Sequence, residues 1–214
     1  MTLGKNSRIC GVCVAVAALL VIAPQAWAIN LLSNPGFEEG DTGAINGSGN
    51  PTDWQAWGPE SGWHHNDAGK TIDDKAIKFW WDDAAVWQDF PATAGDDYLY
   101  SVMAFNSTGD PLNLWNGLLK AEFYDNLSGS GTPLLEMDID RYYSASDPVD
   151  TWVELSGSVT APAGAVLGRI ILKIADWQES PGGSLNFDNA SVVPEPATIS
   201  LLAVGLACML RRRR

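Results

Sequence analysis

Along the middle of the chain, short apolar runs alternate with clusters of turn-forming residues, and no long apolar period of 3.6 residues occurs. Positions two apart carry the apolar side chains over 76–81, 85–90, 98–106, 117–124, 134–139, 152–160, 169–175 and 184–192, which predicts eight β-strands. The separators are Ala94-Gly95-Asp96-Asp97, Ser107-Thr108-Gly109-Asp110, residues 125–132, Ala161-Pro162-Ala163-Gly164 and residues 180–183, all rich in residues that favour turns. The Gly/Asn/Pro-rich stretch 41–53 reads as a loop, not a domain linker, and there is no internal repeat. Strands of this number and spacing predict an all-β sandwich.

Alternation also assigns faces. In 76–81, Ile77, Phe79 and Trp81 share one face and Ala76, Lys78 and Trp80 the other, which Lys78 marks as wet. In 85–90, Val86, Gln88 and Phe90 point one way, and Trp87 joins Asp89 on the other. Trp80 and Trp87 thus each sit beside a charged neighbour on a face expected to meet solvent.

The two ends follow different patterns. Lys5 and Arg8 precede an apolar stretch from Ile9 to Ile22, and Ala26-Trp27-Ala28 fits the small-x-small rule of signal peptidase. Residues 1–28 are therefore expected to be a removed secretory signal, with cleavage read by Ala26 and Ala28. Cys10 and Cys13 come before or inside the apolar run, which argues against a lipoprotein. At the other end, Val193-Pro194-Glu195-Pro196 is followed by an uncharged run from Ala197 to Leu210 and then by Arg211, Arg212, Arg213 and Arg214. Fourteen residues span about 21 Å as a helix, short of the ~30 Å hydrocarbon core, so a permanent anchor is marginal. The arginines are expected to stay on the cytoplasmic side.

Composition narrows the function. The chain has 214 residues and a formal net charge of −13. Residues 29–193 hold seven basic and 25 acidic residues, a net charge of −18, so a nucleic-acid partner is excluded by repulsion. All three cysteines (Cys10, Cys13, Cys208) lie in the end segments, so no disulfide staples the body. About 165 residues remain between the ends, enough for one domain with its own core.

Residues 193–214 resemble the PEP-CTERM sorting signal: motif, apolar helix and arginine-rich end in order. The resemblance implies handling by an exosortase-type membrane protease, an inner-membrane intermediate, and delivery to the cell surface or extracellular matrix of a Gram-negative, exopolysaccharide-producing bacterium. The body resembles the carbohydrate-binding modules of the galactose-binding-like, jelly-roll class. Asn30-Leu31-Leu32-Ser33-Asn34-Pro35-Gly36-Phe37-Glu38 matches their opening, and Gly183 to Val192 their closing strand. Between them, Ala76 to Trp80, Val86 to Phe90, Ala94-Gly95 to Tyr98 and Ala121 to Asp125 follow in the same order. The expected architecture is thus an all-β, jelly-roll β-sandwich over 29–192, between a signal peptide over 1–28 and a sorting signal with a single hydrophobic helix over 193–214.

That resemblance implies a structural calcium between the first and last strands, held by Glu38 and Asp188 with backbone carbonyls completing a shell of hard oxygens. The residues themselves suggest sugar binding, because sugar rings stack their C–H faces on aromatic planes while polar side chains take the hydroxyls. Trp80 and Trp87 on strands, and Trp63, Trp115 and Trp177 on loops, are the candidates; Trp54, Trp57 and Trp152 are assigned to packing. His64-His65-Asn66-Asp67 reads as a solvated loop, because adjacent histidines point apart and lack a third ligand at useful spacing. There is no Gly-x-Ser-x-Gly, no phosphate loop and no cysteine nucleophile in the body, so catalysis is not expected. The expectation is an exported, non-catalytic binder of polysaccharide. The alternatives are a structural matrix protein without a specific ligand and, with less support, a glycoside-cleaving enzyme.

Overall fold

The structure is a computed structural model that describes residues 29–195 except 48, 59–61, 81–83, 114–115 and 176–181. The expected signal peptide and the C-terminal apolar run, with Ala26, Ala28, Pro196 and Arg211 to Arg214, lie outside the described residues, as do Trp115 and Trp177.

Eleven strands form two antiparallel sheets. In chain order they are β1 (Gly43–Ala44), β2 (Gln55–Trp57), β3 (Gly62–His65), β4 (Ala76–Trp80), β5 (Ala85–Pro91), β6 (Asp97–Asn106), β7 (Asn116–Tyr124), β8 (Leu135–Tyr143), β9 (Trp152–Thr160), β10 (Leu167–Ala175) and β11 (Ser184–Pro194). One sheet runs β1-β3-β4-β11-β6-β9 and the other β2-β5-β10-β7-β8. The described residues contain no helix. The fold is the expected all-β jelly-roll sandwich. Each of the eight expected strands is present, displaced by four residues or fewer at either end.

Three short strands were not expected. β1 lies inside the stretch read as a loop, and β2 and β3 lie in the Trp/Gly/His-rich stretch after it. Two to four residues are too few for alternation to be read. These strands exist because longer ones pair with them: β3 with β4, and β2 with β5.

Apolar positions on alternate residues meet between the sheets. In β5, Val86, Gln88 and Phe90 are buried while Trp87 and Asp89 are half-buried on the outside; in β6, Tyr98, Tyr100, Val102 and Ala104 turn inward. Phe90 packs against Tyr98, Tyr100 and Phe123 with ring centroids 5.4, 6.0 and 6.5 Å apart. Each fully buried aromatic of this kind stabilises the fold by about 2–3 kcal/mol through area removed from water. Between the sheets one position needs a glycine: a Cβ on Gly117 of β7 would lie 2.1 Å from Leu185 Cδ2 of β11.

The opening segment is tied to the last strand. Leu31 N donates to Val192 O at 2.8 Å, Val192 N donates to the Asn30 carboxamide at 3.0 Å, and Ala190 N donates to Pro35 O at 2.8 Å. Gln88, buried on the inner side of β5, donates to Ser33 O and Asp53 O and accepts from Ser33 N, which fixes the opening loop.

Candidate functional site

The outer face of the five-stranded sheet carries an open groove of about 460 Å³ lined by Trp57, Trp87, Lys120, Glu122, Tyr124, Glu136, Arg169, Ile171 and Lys173. Register brings these together. Asp89, Arg169, Glu122 and Glu136 are successive partners across β5, β10, β7 and β8; Gln55, Trp87, Ile171 and Lys120 form the adjoining row. Trp57 is opposite Ala85, and Ala85 opposite Lys173.

The polar groups are held before any ligand arrives. Arg169 donates to both oxygens of Asp89 (2.5 and 3.0 Å), to the Tyr124 hydroxyl (3.2 Å) and to Gly129 O (3.1 Å). Its guanidinium lies 5.5 Å from the Trp87 ring centroid and 4.9 Å from that of Tyr124. Burial opposes the Arg169 charge, but the Asp89 contact outweighs it and carries its pKa above the ordinary value. Tyr124 donates to Glu122 at 2.5 Å, and its burial together with that contact pushes the phenol up to about 12. Lys120 donates to Glu136 at 2.5 Å and holds that carboxylate below its usual range. The Lys173 ammonium stands 5.2 Å from the Trp57 ring centroid. Trp87 Nε1 is shielded from water and has no hydrogen-bond partner among the described residues.

This arrangement changes one assignment and divides the candidates between two faces. Trp57, given to packing, is 40% exposed and lines the groove. Trp80 and Trp87 do not share a surface: Trp80 is on the outer face of the six-stranded sheet, Trp87 on that of the five-stranded one. Trp63, which is exposed, falls on the Trp80 side, opposite Lys78; Lys78 Nζ in turn lies 5.6 Å from the Trp80 ring centroid. Trp54 is buried against Phe37 (4.8 Å), and Trp152 is half-buried against Phe105 (5.1 Å).

The histidines do not sit in a solvated loop. Both are buried in β3 and point to opposite sides, because β3 pairs with β4 and so takes the alternation of a strand. His64 bridges Asp41 O and Phe37 O (2.9 and 2.7 Å), and burial lowers His65 to about 4.

Glu38 and Asp188 come together at the junction of the opening segment and β11. Asp188 is fully buried, with its carboxylate accepting from Ile72 N and Asn189 N, each at 2.7 Å. Burial, reinforced by the charges of Glu38 and Asp73, pushes its pKa up to about 6. Glu38 accepts from Lys75 N at 3.2 Å, while Lys75 Nζ donates to Glu38 O and Gly40 O at 2.7 and 2.9 Å. Among the described residues no three His, Cys, Asp or Glu side chains form a metal-holding group. Two carboxylates and neighbouring carbonyls, with buried negative charge in excess, are nonetheless a donor set of the hard-oxygen type that suits calcium.

Residues 192–214 match the family model described as the PEP-CTERM protein-sorting motif. The protein is therefore one that is exported and passes through the membrane for sorting. No curated protein sequence matches the chain. Among solved structures, the enzymatically active domain of tailspike protein 4 of bacteriophage CBA120 is 17% identical over 78% of this chain, with a TM-score of 0.51. This chain spans only 22% of that one. A cyclase from Fischerella sp. TAU is 13% identical over 79% of this chain and 98% of its own, with a TM-score of 0.55. The module TmCBM61, solved with β-1,4-galactotriose, is 17% identical over 78% of this chain and 100% of its own, with a TM-score of 0.49. These likenesses are of fold: the chain is a β-sandwich joined to a PEP-CTERM sorting motif.

Proposed function

We propose that the protein is a non-catalytic polysaccharide binder of the bacterial surface or extracellular matrix, and that the groove of the five-stranded sheet is its binding site. The observation that carries this reading is the pairing of Trp57 and Trp87 on one open face with polar groups already locked around them. Sugar rings stack on the two indoles, and Lys120, Glu122, Glu136, Arg169 and Lys173 exchange hydrogen bonds with hydroxyls. Fixed side chains lose little entropy when a chain is bound, which favours affinity. Against catalysis, Glu136 is held ionised by Lys120 and Tyr124 holds its proton to about pH 12, so neither is poised to exchange a proton near neutrality. Calcium belongs to the same reading as a brace: Glu38 and Asp188 would hold it, and it would neutralise their charge where the first and last segments meet. Signal peptidase and an exosortase-type protease act during export, and a Gram-negative cell is the setting.

The test is affinity electrophoresis of residues 29–195, which contain every strand and the whole described core, in gels cast with a panel of polysaccharides that includes the producing cell's own exopolysaccharide. Retardation by at least one polymer, abolished in the Trp57→Ala/Trp87→Ala double variant, is expected. Equal mobility in every gel removes the reading and leaves the structural matrix protein.

A further inference from the structure

The sorting motif and the sandwich overlap. The matched motif begins at residue 192, whereas β11 continues to Pro194. Val193 and Pro194 pair with Leu99 and Tyr98 of β6, in register with Val192 opposite Tyr100. Glu195 is fixed as well: its N–H donates to Asp97 O at 2.8 Å, and its carboxylate accepts from the Ser158 hydroxyl of β9 at 2.7 Å. Asp97 is itself held by the Thr160 hydroxyl. Three residues of the motif are thus the end of a central strand and the residue just past it, held by the neighbouring strand β6 and, through the Glu195 carboxylate, by β9 on the far side of β6.

We infer that Val193-Pro194-Glu195 is a permanent part of the folded domain and that proteolytic release severs the chain on the C-terminal side of Glu195. The inference rests on the sorting reading, that is, on the tail being cut at all. A peptidase binds its substrate as an extended strand and pairs with the substrate's backbone groups. The Glu195 N–H is already committed within the sheet, as are the strand pairings of Val193 and Pro194, so the bonds before Glu195 are closed to the enzyme while the domain is folded. A cut there would also strip β6 of its partner next to the core residue Tyr98. The acidic member of the motif is in this view read with its carboxylate docked on Ser158, as a fixed epitope on the sandwich.

The experiment is mass spectrometry of the C-terminal peptide of the protein released by its producing cells. The expected last residue is Glu195 or one C-terminal to it. A chain ending at Val192, Val193 or Pro194 overturns the assignment while leaving processing intact. Recovery only of chains ending at Arg214 overturns both the assignment and the cleavage on which it rests. A second readout is amide exchange in the full chain in detergent micelles. The Glu195 amide is expected to exchange at least tenfold more slowly than an unprotected amide of the same sequence. Exchange at the unprotected rate shows that the motif is undocked and likewise overturns the inference.

Discussion

Trp57 and Trp87 carry the proposed binding surface, and they differ in what else depends on them. Trp57 is exposed at the edge strand β2, so Trp57→Ala is expected to weaken polysaccharide retention about tenfold or more while leaving the melting temperature unchanged. Trp87 is half-buried on β5 under Arg169, so Trp87→Ala is expected to weaken binding at least as much and also to lower the melting temperature. Affinity electrophoresis and thermal melting on the same samples separate the two effects; unchanged retention for both single variants would move the site elsewhere. His65 gives a residue-scale prediction of another kind. Burial holds its pKa at about 4, with Asp67 opposing and Lys78 and Lys70 adding to the shift. Between about pH 6.5 and 4 the unfolded chain takes up a proton that the folded chain refuses, so the contribution of the neutral His65 to stability is present above that window, falls as the pH falls through it and is gone below it. The difference is worth about 3 kcal/mol. Urea midpoints at pH 7 and pH 4.5 should therefore lie closer together for His65→Gln than for the unsubstituted chain, and an equal separation would disprove the assignment to His65.

At the scale of elements, Gly117 on β7 faces Leu185 and Phe187 of β11 with no room for a side chain. Gly117→Ala puts a methyl group 2.1 Å from Leu185 Cδ2 and 3.2 Å from Phe187 Cζ, and overpacking of that sort costs about 1–3 kcal/mol. For a domain of this size that lowers the melting temperature by roughly 2–4 °C per kcal/mol, which calorimetry would show. The same element scale explains which parts of the site were legible. The outward direction of Trp87 and Asp89 followed from alternation within one strand. Arg169 and Lys173 on β10, and Lys120 and Glu122 on β7, alternate with core residues in the same way, so their outward facing was readable too. What alternation does not contain is that β5, β10 and β7 are neighbours, because sequence order and sheet order differ. Alternation turns both Trp80 and Trp87 outward but does not say that their strands, β4 and β5, belong to different sheets. Trp57 was missed because β2 is three residues long and its exposure depends on its partner β5.

For the whole molecule, the unsolved problem is closure of the sandwich without a disulfide. All three cysteines lie outside the body, and the opening segment is held to β11 by few hydrogen bonds, from Asn30, Leu31 and Ala190. At that junction the fold buries Asp188 beside Glu38 and Asp73, which destabilises it unless the charge is offset. Lys75 forms no ion pair with Asp188 among the described residues; its ammonium donates to the carbonyl oxygens of Glu38 and Gly40. A divalent cation bound only by the folded state would offset the charge, and it would stabilise by RT ln(1 + [L]/Kd), about 2.7 kcal/mol when calcium is at 100 times its Kd. Millimolar calcium is therefore expected to raise the melting temperature of residues 29–195 by several degrees, and a chelator to reverse it. Asp188→Asn keeps the shape and removes the charge. It is expected to abolish the response to calcium; its melting temperature in chelator also carries the loss of one buried acceptor, because the two carboxylate oxygens each take a backbone N–H and the carboxamide has a single oxygen. A calcium response that persists in Asp188→Asn would place the ion elsewhere. If calcium leaves the unsubstituted protein unchanged, the Asn30, Leu31 and Ala190 hydrogen bonds close the sandwich unaided.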